Sequence, residues 1–174
     1  IVCTPLWERL AARQGKRRSY AAASLTLAAG AAALVAARVM PAALVYLAVA
    51  VVGVGYAGAQ MLPLSMLPDV AAADAAESGE NRVGVFTGVW TAGETLGLAL
   101  GPFVFGLVLA AGGYVSSTDS TAAQPDSAVT AIVLGFSLLP ALLTLASLLF
   151  LRGYLPPMAR GFAAYTSDPP EDRP

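Results

Sequence analysis

The sequence predicts an all-α membrane protein with four transmembrane helices, and three observations lead there. Hydrophobic residues make up 57% of the 174 and charged residues only 12%, about half the usual share for a soluble domain. Four stretches are long and apolar enough to cross a bilayer, whose core of about 30 Å needs roughly 20 helical residues at about 1.5 Å each. The Lys and Arg residues fall almost entirely to one side of these stretches, which is the positive-inside pattern.

Taken in chain order, Ile1-Val2-Cys3-Thr4-Pro5-Leu6-Trp7 reads as the end of a preceding helix at 1–7 rather than a secretory signal, so a fragment is expected. Residues 1–19 form a basic loop with Glu8, Arg9, Arg13, Lys16, Arg17 and Arg18. The first span covers 20–37 and the second 41–67, neither with a charge. Pro63 and Pro68 bracket the end of the second; proline removes a donor and bends or ends a helix, so a kink near Pro63 and a stop at Leu67 are expected. An acidic, Ala-rich loop follows at 68–83, with a short interfacial helix as its alternative reading. The third span covers 84–112, a Ser/Thr-rich loop without Lys or Arg covers 113–128, and the fourth span covers 129–151. The tail at 152–174 contains Pro156-Pro157 and Pro169-Pro170 and reads as disordered.

Arg9, Arg13, Lys16, Arg17, Arg18, Arg82, Arg152, Arg160 and Arg173 lie on one side of the spans, and Arg38 alone lies on the other. The loops at 1–19 and 68–83 and the tail are therefore expected in the cytoplasm, across a bacterial inner membrane from the 113–128 loop. An even number of spans returns both ends to one side, in agreement with the charge count.

Composition also excludes chemistry. The chain has no histidine, which removes His-based zinc sites, Ser-His-Asp triads and imidazole switches. Cys3 is the single cysteine and has no intrachain partner. No motif pairs a nucleophile with a base, so neither an enzyme nor a cofactor, metal or nucleic-acid partner is expected.

Gly53-Val54-Gly55-Tyr56-Ala57-Gly58 matches GxGxxG, but that fingerprint works as a turn between a strand and a helix. Inside an apolar span, small residues instead let helices approach closely. In the third span Gly84 and Gly88, and separately Gly93, Gly97 and Gly101, are each spaced by four; residues four apart share a helix face, so Gly93, Gly97 and Gly101 are expected to make a groove for a neighbouring helix.

Glu94 is the only Asp, Glu, Lys or Arg within the four spans. Counted from Gly84 it lies about 15 Å into its helix, near the expected midplane. A charge there costs at least ~3 kcal/mol on insertion scales, so the residue should face protein or a water-filled cavity. Three readings are open: a proton carrier between access states, a partner for a cation, or a structural interhelical hydrogen bond. Counting back from Leu67 puts Gln60 at about 10 Å and Tyr56 at about 16 Å, matching the depths of Trp90 and Glu94. Tyr56, Gln60, Trp90 and Glu94 are thus candidates to line one pocket with an aromatic wall.

Pro5-Leu6-Trp7-Glu8-Arg9-Leu10 through Gly15-Lys16-Arg17 resembles the loop before the ninth helix in the glycoside/pentoside/hexuronide cation symporters of the major facilitator superfamily, the melibiose permease-like family. Pro68-Asp69-Val70 with Asp74, Gly79-Glu80, Arg82 and Gly84 resembles that family's loop before helix eleven. Gly113-Tyr114 and Pro140 fit as well. The resemblance implies helices nine to twelve of a twelve-helix transporter, within its C-terminal six-helix bundle and partnered by its N-terminal half. It implies alternating access around a central site, membrane lipids as surroundings, and a small solute moved with a proton or cation. It also implies a cytoplasmic latch, with Arg9, Arg13, Lys16, Arg17 and Arg18 against acidic groups or anionic lipid and Asp69, Asp74 and Arg82 as matching contacts. Two departures stand out. Ala72, Ala75 and Val83 occupy positions often acidic in the family, and Thr95, beside Glu94, stands where many relatives have lysine. A lipid or drug exporter and a non-transporting scaffold are the competing functions.

Overall fold

The computed structural model describes residues 3–116 and 123–151; the expectations for 152–174, with Arg152, Arg160 and Arg173, and for part of the 113–128 loop lie outside the described residues. The described chain is α-helical, with α1 at Thr4–Gln14, α2 at Lys16–Ala33, α3 at Ala42–Ser78, α4 at Val83–Ala111 and α5 at Asp126–Phe150. Helices α2 to α5 are each long and apolar enough to span a membrane.

The described part of the expected 1–19 loop is mostly helical, as α1 and the start of α2. Pro5 sits in the first turn of α1, where its missing N–H costs nothing. The helix stops at Gly15, whose φ of 87° only glycine adopts freely. The chain reverses there, and Trp7, Leu10 and Ala11 fold back on Ala23 of α2 and Leu62 of α3. This apolar edge, spaced by three and four residues, is what makes the approach helical.

Helix α3 also departs from expectation. It runs through Pro63 and Pro68 to Ser78, well past the predicted end at Leu67, so much of the expected 68–83 loop is helix. Each proline forfeits one backbone bond, but the run Ala71-Ala72-Ala73-Asp74-Ala75-Ala76 has strong helix propensity. The helix ends at Gly79 in the left-handed region, φ 71°, which is the usual glycine stop.

The closest packing lies between α2 and α3. A Cβ on Gly30 would stand 2.8 Å from the backbone nitrogen of Val52, and one on Gly58 would stand 2.6 Å from the Trp7 ring. A Cβ on Gly55 would overlap the backbone of Leu27. Two glycines of the GxGxxG match therefore act as a helix–helix contact, as predicted. The Trp7 Nε1–H donates to the Val54 carbonyl at 2.8 Å, so the indole is both buried and satisfied.

Helix α5 lies on α2 through Ala28, Ala31 and Ala141. At one end of the bundle Arg38 reaches α5, 3.5 Å from Asp126 and donating to Thr130 Oγ1 at 3.2 Å. Helix α4 meets its neighbours only near its two ends. Gly112 packs on Ala131, and Phe105 and Val108 pack on Gly135, while Trp90 makes the contact at the opposite end. Residues 91–104 between them are exposed.

Candidate functional site

The two ends of the bundle are referred to by their cations, the Lys16 end and the Arg38 end. At the Lys16 end, Tyr20, Pro63, Val70, Trp90, Ser147 and Phe150 line a cleft of about 310 Å³, with the Tyr20 and Ser147 hydroxyls 3.4 Å apart. Trp90 enters this cleft at the level of Phe150 and Leu151, where α5 finishes.

That register places Glu94. Four residues on from Trp90, it stands about 6 Å deeper toward the Arg38 end.

Tyr56 and Gln60 are joined by a hydrogen bond, the Gln60 amide donating to the Tyr56 hydroxyl at 3.2 Å. They precede Pro63 by seven and three residues, so they share the α3 face that lines the cleft. Trp90 and Glu94 share a face of the facing helix. The structure thus joins Tyr56 to Gln60, gives Trp90 the cleft, and leaves Glu94 exposed, without a hydrogen bond or ion pair among the described residues.

The expected packed face of α4 is open. A Cβ placed on Gly84, Gly88, Gly93, Gly97 or Gly101 would meet nothing within 4 Å. Small residues permit close approach but do not supply the neighbour, and no described helix covers α4 there. On the side of α4 away from Gly93 and Gly97, a groove of about 900 Å³ is lined by Gly84, Thr87, Gly88, Thr91, Thr95 and Ala99. Of its threonines at 87, 91 and 95, only Thr95 stood out in the sequence, as a departure from the resembling family. Their recurrence every four positions was the legible signal, because it stacks three hydroxyls on one side of an apolar helix.

The basic segment does find an acidic partner. Lys16 Nζ lies 2.5 Å from Asp69 Oδ2 and donates to the Ser65 carbonyl at 2.8 Å. Gly15 turns the chain so that the first residue of α2 meets the far part of α3, and the ammonium clips the helix between its two prolines and its end. Arg82 instead pairs locally with Glu80 at 2.9 Å. Asp74 has a buried oxygen without a hydrogen-bond partner, and Arg9, Arg13 and Arg18 are exposed. Of the predicted latch residues, the structure brings together Lys16 and Asp69.

Both partners of this pair are about one-third exposed, at 36% and 30%, so solvent screening keeps the pair modest. A double-mutant cycle with Lys16→Ala and Asp69→Asn, read by thermal unfolding of the full-length protein, is expected to give a coupling of about 0.5–1 kcal/mol. A coupling of zero would show that the contact does not hold the end of α3.

A family model described as MFS/sugar transport protein matches residues 1–155. An uncharacterized symporter of Synechocystis sp. (strain ATCC 27184 / PCC 6803 / Kazusa) is 34% identical over 151 residues, 86% of this chain and 28% of the symporter. The chain thus spans little more than a quarter of the length of that curated relative. No solved structure matches.

Proposed function

Since the chain belongs to the MFS/sugar transport protein family, we propose that it forms part of a secondary active transporter that moves a sugar-like or amphiphilic solute by alternating access, coupled to a proton or another cation. The chain is an integral membrane segment, with four helices able to cross the bilayer. On this reading they are helices nine to twelve of a transporter in the bacterial inner membrane, and the rest of the protein, the N-terminal half included, covers the open side of α4.

Glu94 carries the reading. It is the one acid within the spans, it stands one turn from the Trp90 cleft, and it faces space that the described residues leave unfilled. A carboxyl that neither pairs nor is buried in its own helical bundle is placed to meet a moving cation or proton. Tyr56, Gln60 and Trp90 would supply the neighbouring hydrogen bonds and aromatic wall for the solute. Lys16 and Asp69 would fasten the cytoplasmic end, and Arg9, Arg13, Arg17, Arg18, Asp74 and Arg82 would belong to the same latch or face anionic lipid.

The direct test is full-length protein in proteoliposomes, offered labelled sugars under an imposed proton or sodium gradient. Gradient-dependent accumulation supports the proposal; equal uptake with and without either gradient refutes coupling. The apolar walls of the Trp90 cleft favour a second reading, export of a lipid-like or drug-like amphiphile, which predicts movement out of the cytoplasmic leaflet in the same vesicles. A scaffold predicts no movement of any solute.

Orientation has its own check. With single cysteines in otherwise cysteine-free protein, a membrane-impermeant maleimide added outside cells is expected to label Ser116→Cys and to spare Glu77→Cys. The reverse pattern would invert the topology.

A further inference from the structure

The GxGxxG match contains a third glycine that packing does not use. Added Cβ atoms at Gly55 and Gly58 would collide with α2 and with Trp7, whereas one on Gly53 would meet nothing within 4 Å. Gly53 shares its side of α3 with Tyr46, Tyr56 and Gln60, and all four are exposed. Ala48, Gly55, Gly58 and Leu62 fall on the opposite side and are buried. Helix α3 therefore has one packed face and one open face, and Gly53 belongs to the open one.

The chemistry of that open face does not suit hydrocarbon. Gly53 stands about 18 Å from Pro41 and about 21 Å from Leu67, near the middle of the apolar run. Beside it the Gln60 amide donates to the Tyr56 hydroxyl. The phenol proton, the second amide N–H and the amide carbonyl then remain without a partner among the described residues. Polar groups at that depth are costly against lipid tails and belong opposite protein or a polar occupant. Two donors and an acceptor match sugar hydroxyls, each of which donates and accepts.

The neighbouring residues also give such an occupant a seat. Helical side chains lean toward the helix N-terminus, so the Tyr56 ring is directed over the turn that contains Gly53. A side chain at 53 would cover part of that ring, and glycine leaves it bare. A bare aromatic face with hydrogen-bonding groups at its rim fits a sugar ring, apolar on its C–H face and polar around its edge.

We propose that Gly53 is a specificity-determining position for the transported solute: its missing side chain opens a notch that seats one sugar ring against Tyr56, whose hydroxyl Gln60 holds in place. The assignment rests on the transporter reading above and adds to it a residue that acts by leaving space.

The test uses full-length protein in proteoliposomes, with labelled methyl β-galactoside, xylose and glucuronate offered under a proton or sodium gradient. Gly53→Leu is expected to raise the KM for the accumulated sugar by about tenfold, and Gly53→Ala by less. Tyr56→Phe, which keeps the ring and loses the hydroxyl, is expected to raise it about fivefold. Both Gly53 variants should melt at or above the wild-type temperature, because glycine is the poorer helix former. An unchanged KM in Gly53→Leu would overturn the notch and leave the transporter reading standing. A Gly53→Leu protein that melts as low as Gly55→Leu would also overturn it, by placing Gly53 in a helix contact. Wild-type protein that accumulates none of these sugars would overturn sugar transport and the notch together.

Discussion

Glu94→Gln in the full-length protein is expected to lower gradient-driven uptake by at least about tenfold, equivalent to about 1.4 kcal/mol in the driving step, and to flatten its dependence on pH. Glutamine keeps the size of the side chain and its ability to hydrogen-bond but cannot bind or release a proton and offers no charge to a cation. The substitution therefore separates the coupling readings from the structural one. If Glu94 only bridges helices by a hydrogen bond, the amide substitutes for it and uptake persists. Exchange of solute across the membrane without a gradient needs no net ion movement, and it is expected to survive in the variant. Uptake that keeps both its rate and its pH profile would end the assignment of Glu94 to coupling.

The largest stability effect is expected at Gly55. A Cβ there would overlap the backbone of Leu27, and backbone, unlike the end of a flexible side chain, cannot step aside. Gly55→Leu is expected to cost about 3 kcal/mol or more and to appear as loss of monodisperse protein on heating. Gly97→Leu is the control, since its added atoms meet open space in the described chain. On the proposed reading, Gly97→Leu leaves the α2–α3 contact intact and instead impairs transport, because the face it fills is the one the rest of the protein would cover. Equal melting of the Gly55 variant and the wild type would disprove the close α2–α3 packing.

The four spans were legible because bilayer thickness imposes a length that composition alone reveals. The role of Gly55 and Gly58 was legible too, since a fingerprint without its strand and turn has no mechanism other than packing. Three features were not. The path of α3 through Pro68 depends on an alanine-rich run outweighing a lost backbone bond, a balance that a proline rule does not weigh. The fold-back of α1 depends on one glycine turning the chain so that Trp7 reaches Gly58. The open surroundings of Glu94 depend on which helices stand beside α4, which the residues of α4 alone do not state. The face of α4 presents the opposite case: its glycines announce a partner, but no described helix covers them.

Helix α3 has 37 residues, a rod of about 55 Å in a bilayer whose hydrocarbon core is about 30 Å thick. On the proposed reading its excess stands beyond the membrane at the Lys16 end, where it acts as a lever arm. A tilt of about 10° around the middle of the rod moves its tip by about 5 Å, enough to open or close a contact between side chains. The Lys16 ammonium grips that arm partway along, at Ser65 and Asp69, and so sets where it can pivot. Small rotations of the span, invisible in the middle of the membrane, would thus be read out as displacements at its aqueous end.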